Sequence, residues 1–132
     1  MGNIIRLNDT AESNVWILMS NQGTDCFLEL LICAADTIEK TQNQEEMISY
    51  LKGQKAINEV APGTASFDID DMPWKAFSLP EDKQFFLHVV ELAKSHSILD
   101  KLPYDLDEGI VFPRLDRFAE MINKKNTAAS KI

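Results

Sequence analysis

Apolar residues along this chain follow two different spacings. Short β-branched and aromatic runs mark the first twenty residues: Asn3-Ile4-Ile5-Arg6-Leu7 and Val15-Trp16-Ile17-Leu18-Met19, with a polar segment between them. Such runs predict two strands joined by a long loop, with a helix over residues 10–20 as the alternative. Beyond Gly23 the period changes. Phe27, Leu28, Leu31, Ala34, Ala35 and Ile38 recur at helical spacing, and Glu29, Asp36 and Glu39 leave only a narrow wet stripe. That pattern predicts a helix covered on most of its circumference, started by Thr24 or Asp25 as cap. A second helical pattern runs from Gln44 to about Asn58 through Met47, Ile48, Leu51 and Ile57, weakened where Gly53 interrupts it.

Pro62-Gly63 ends this helical part. Phe67 and Ile69 then alternate with Ser66, Asp68 and Asp70, which predicts a short strand. Pro73 and Pro80 bracket a loop. Pro80 near the first helical position, followed by Glu81 and Asp82, marks the clearest helix start in the chain. Phe85, Phe86, Val89, Val90 and Ala93 form the apolar face of that helix. Residues 99–108 read as an acidic loop, and a last helix begins near Pro113 with Leu115, Phe118, Ala119 and Ile122 inward. The order of elements predicts a single α+β domain over residues 1–125, with about four helices on a short antiparallel or mixed sheet. Residues 126–132 are expected to be a frayed tail.

A chain of 132 residues is long enough for one domain with a real core. Its charge narrows the choice of partners. Thirteen Lys and Arg stand against 21 Asp and Glu, a net charge of −8. Such a surface disfavours nucleic acid, which needs cations to replace its counterions, and it disfavours anionic membranes. It favours a basic protein partner, and it also simply keeps a protein soluble. The two cysteines, Cys26 and Cys33, lie in apolar surroundings seven residues apart. On one helix that spacing is about 10 Å along the axis, too far for a disulfide, so buried reduced thiols are expected. No signal peptide is visible and no apolar run approaches the ~20 residues of a membrane helix, so the expected location is the cytoplasm.

A search for chemistry returns little. His88 and His96, if on one helix, stand about 12 Å apart, too far to share a metal. An EF-hand loop begun at Asp68 puts Pro73 and Leu79 where Gly and Glu are needed. No phosphate-binding Gly loop and no nucleophile elbow occur. No catalytic residue, metal ligand or cofactor is therefore assigned, and an enzyme is not expected.

The feature that stands out is Pro62-Gly63-Thr64-Ala65-Ser66-Phe67-Asp68-Ile69-Asp70-Asp71-Met72-Pro73-Trp74. Three carboxylates and a Pro-Trp follow a turn, an order that no helix or strand requires. A second acidic stretch holds Asp100, Tyr104, Asp105, Asp107 and Glu108. If the fold joins the two, Asp68, Asp70, Asp71, Trp74, Tyr104, Asp105, Asp107 and Glu108 form one negative surface with aromatic anchors, a common build for a protein interface. The plainer reading of Trp74 is a plug at the core edge, and of the acids a solvated face.

The same stretch, followed by Glu81-Asp82-Lys83-Gln84-Phe85-Phe86-Leu87, resembles small immunity proteins of bacterial polymorphic, contact-dependent toxin systems. The resemblance covers about the second half of the chain and identifies no subfamily. It implies a protein that binds a cognate toxin domain and blocks it by occlusion. It carries over no catalytic residue. The alternative is a cytosolic adaptor or interaction domain with no toxin partner; a metal-binding domain or small enzyme ranks below both.

Overall fold

The computed structural model describes residues 2–6, 16–61, 67–68, 80–102 and 108–124. Among the described residues five helices make up the body: α1 (Asn21–Ala35), α2 (Gln42–Val60), α3 (Pro80–Ala93), α4 (His96–Leu99) and α5 (Glu108–Lys124). The most continuous apolar pattern in the sequence becomes the centre of the fold. Phe27, Leu28, Leu30, Leu31, Ile32, Ala34 and Ala35 are all buried, and α1 packs against α2, α3, α4 and α5. At the heart of the core the ring of Phe118 on α5 meets Phe27 of α1 and Phe86 of α3 edge to face, each at a centroid distance of 5.4 Å. Fully buried Met47, Leu51, Val89 and Leu115 extend it.

This arrangement corrects the α+β expectation: the protein is helical. Every described buried residue lies on one of the five helices or, as Leu102, in the turn after α4. The period-2 runs amount to three short strands, β1 (Gly2–Arg6), β2 (Trp16–Ser20) and β3 (Phe67–Asp68), in the order β2-β1-β3. The reason lies in α1. Its apolar circumference is covered chiefly by the other helices, α2 and α3 foremost, with β1 and β2 also against it.

The helix ends are fixed by side chains. Ser20 caps α1, accepting the Gly23 N–H at 2.9 Å, one turn earlier than the Thr24 or Asp25 start that the sequence suggests. Thr24 instead donates its hydroxyl back to the Ser20 carbonyl at 2.9 Å and is buried. A Cβ at Gly23 would stand 2.8 Å from Nη1 of Arg114, whose flexible end lies against the first turn and would have to shift. At the other end, Lys40 donates to the carbonyls of Ala35 (2.7 Å) and Ile38 (2.9 Å), placing a cation at the negative end of α1.

A capping box opens α2: Thr41 Oγ1 accepts the Gln44 N–H and Gln44 Oε1 accepts the Thr41 N–H. The helix then runs unbroken through Gly53, contrary to the interruption expected there, because Gly53 is on the exposed side and Met47, Ile48 and Leu51 hold the buried one. Two further boundaries move. The last helix starts at Glu108, with Pro113 inside it, since Val111, Leu115, Phe118 and Ile122 form one continuous buried stripe across the proline. His96 opens the separate helix α4 rather than ending α3, so the two histidines, both exposed, are on different helices.

α3 and α5 run antiparallel. Near the start of α3, Lys83 Nζ donates to the Asn123 carbonyl at 2.9 Å, close to the end of α5. Just beyond the other end of α3, Lys94 pairs with Asp116 and with Glu91, the latter at 3.1 Å. These contacts fix which helix ends meet, and so where the acidic segments leave the helical body.

Candidate functional site

The expected surface is drawn from two acidic segments, and the described residues fix how each is anchored. Asp68 is the second residue of β3, paired in parallel register with Arg6. Glu108 is the first residue of α5. Asp70, Asp71, Trp74, Tyr104, Asp105 and Asp107 lie outside the described residues. The first segment runs into the start of α3, where Glu81 is exposed. The second leaves from exposed Asp100 at the end of α4 and enters α5 at Glu108. With α3 and α5 antiparallel, these anchors belong to opposite ends of α3. Its 14 residues span about 20 Å.

Asp82 departs from the sequence reading, in which it counts among the solvated acids at a helix start. It is 1% exposed. Its Oδ1 accepts a hydrogen bond from Gln44 Nε2 at 3.0 Å, and its Oδ2 is buried with no hydrogen-bond partner. Gln44 thus uses both ends of its amide, one to cap α2 and one to tie α2 to the first turn of α3. Asp82 belongs to the interior, not to an interface.

A second charged group joins α1 to α2. Lys55 Nζ stands 2.8 Å from Glu59, 3.4 Å from Asp25 and 3.7 Å from Glu29. The Glu59 hydrogen bond, with the other carboxylates behind it, raises the Lys55 pKa, and Lys55 in turn holds Glu59 below its usual range. The contribution of Glu59 is therefore present above its unfolded pKa and lost as the pH falls through the lowered folded value.

The cysteines also differ from expectation. Both are free and half-buried rather than buried. The Cys33 thiol donates to Glu29 Oε2 at 3.4 Å, and burial, reinforced by Glu29, raises its pKa to about 11. Relative to an ordinary thiol near 9, that lowers the thiolate fraction at pH 8 by about 100-fold. A more basic thiolate is the better nucleophile, which returns roughly tenfold. Cys33 should therefore alkylate about tenfold more slowly than a free thiol at pH 8. Timed iodoacetamide labelling with peptide mass spectrometry measures this, and labelling at the free-thiol rate would contradict it.

Among the described residues no group of three or more His, Cys, Asp or Glu is placed to hold a metal ion, and no helix is long and apolar enough to cross a membrane. One surface that the hydrophobic pattern does not single out is the outer side of α2. There Ile57 is 44% and Val60 87% exposed, beside exposed Gly53 and Ala56. The sequence pattern runs through Gly53 and groups Ile57 with Met47, Ile48 and Leu51, whereas the structure leaves Ile57 exposed on the other side of the helix. No family model matches the chain, and neither does any curated protein or solved structure.

Proposed function

We propose that this chain is an immunity protein that binds a cognate bacterial toxin domain in the cytoplasm of the producing cell and blocks it by occlusion, without chemistry of its own. The observation that carries the reading is the concentration of acids in two segments of a chain of net charge −8. The described ends of these segments nearest α3, Glu81 at its start and Asp100 just beyond its end, are separated by about the 20 Å length of that helix. One partner covering roughly 800 Å² of this surface, about 30 Å across, would reach both. The fitting partner is a basic toxin domain. A nuclease, whose groove must hold phosphates, is the type that best matches such a surface. The motif from Pro62 to Trp74 and its resemblance to immunity proteins support the same reading.

A rescue assay tests it. Each candidate toxin domain encoded near this chain's gene is expressed with and without the chain. Restored growth, together with a complex whose affinity falls steeply with salt, is the expected result. D70N/D71N should weaken that complex and flatten its salt dependence. Failure of the chain to rescue growth or to bind any candidate would overturn the proposal. Unchanged affinity in D70N/D71N would remove the first acidic segment from it.

A further inference from the structure

The exposed stripe on α2 has a composition that selects its occupant. At about 100° per residue, Gly53, Ala56, Ile57 and Val60 fall within about 50° of one direction, opposite buried Met47 and Leu51. Val60 is 87% and Ile57 44% exposed, so this side of the helix is open. A Cβ built on Gly53 meets nothing within 4 Å. The stripe therefore presents a knob, Val60, and two turns away a flat place with no side chain, Gly53.

We propose that this face pairs with the same face of a second copy of the chain, two α2 helices meeting antiparallel about a two-fold axis. Centred between Ala56 and Ile57, that axis sets Val60 of each copy over Gly53 of the other, with Ala56 beside Ala56 and Ile57 beside Ile57. A two-fold contact of this kind is self-complementary by construction. The charges agree with it independently. Lys52 and Glu59 lie on the same flank of α2, about 90–110° from the stripe. The two-fold axis keeps that flank on one side, so Lys52 of one copy comes within about 3 Å along the axis of Glu59 of the other, twice per dimer. Lys52 is exposed, and the Glu59 side chain, 53% exposed beside Lys55, keeps room for a second cation. A parallel pairing about the same stripe sends the two flanks to opposite sides of the seam and so lacks both Lys52–Glu59 contacts.

Two turns of one helix form a small contact, well below the roughly 800 Å² per partner of a stable interface. The expected dimer is accordingly weak. Sedimentation equilibrium of the full chain from about 0.02 to 1 mM should show the weight-average mass rising above the monomer's 14.9 kDa. G53L fills the flat place and replaces a helix glycine, so it should hold or raise the melting temperature while abolishing association. V60E should abolish association with the fold intact by circular dichroism. K52E should weaken association at least tenfold, and K52E/E59K should restore it. A mass of 14.9 kDa at every concentration would overturn the proposal. So would a dimer unaffected by G53L and V60E, or a charge reversal that K52E/E59K does not rescue.

Discussion

Replacing Phe118 by alanine should lower the unfolding free energy by about 4 kcal/mol. Phe118 is fully buried and makes edge-to-face contacts with Phe27 and Phe86, so truncation empties the place where α1, α3 and α5 meet. The loss has two parts: transfer of an aromatic ring out of the core, and a cavity that three rigid helices cannot close. For a domain of this size the melting temperature should fall by roughly 12–20 °C. Phe118→Leu keeps much of the volume and should lose less than half as much. Urea titrations followed by circular dichroism measure both. A loss below about 1 kcal/mol for Phe118→Ala would mean that the three helices do not share this core.

The second large effect belongs to the buried pair Gln44 and Asp82. Removing Gln44 leaves both Asp82 oxygens buried without a partner and breaks the box that caps α2. Gln44→Ala should cost about 3 kcal/mol, since an abandoned buried carboxylate is more costly than the hydrogen bond it loses. Asp82→Ala abandons only a neutral amide and should cost about 2 kcal/mol. Once either partner is gone, removing the other adds little. The double variant should therefore cost about 3 kcal/mol rather than the sum, a coupling near 2 kcal/mol. A four-variant cycle in urea reads this directly. Strict additivity would show that the two side chains do not act together.

How much of this was legible in sequence depended on range. The buried side of α1 follows from Phe27, Leu28, Leu31, Ala34 and Ala35, because a local period reports a local face. The buried stripe of α5 was visible from Leu115 onward and missed before it, because Pro113 argues for a helix start. There the tertiary contacts of Val111 outweigh the local rule. Asp82 was misplaced for the opposite reason. Near a helix start a carboxylate has a sufficient local explanation, and nothing local reveals Gln44, 38 residues earlier, as its partner. The sheet was overstated because β-branched runs mark strands but do not say whether helices need them as a second layer. Of the expected binding surface, only Asp68 and Glu108 fall on described elements, Asp68 on the short strand expected there and Glu108 at the start of α5 rather than in the expected loop.

The central place of α1 also sets a schedule. Phe27 reaches its partner Phe118 about 90 residues later in the chain. At ~5–20 residues per second, a ribosome delivers that partner roughly 5–18 s after Phe27 is made. In that interval α1 exists with its apolar circumference only partly covered, by α2 first and α3 next. For that long the nascent chain carries apolar surface that α5 has yet to cover, and a product cut short before α5 never covers it.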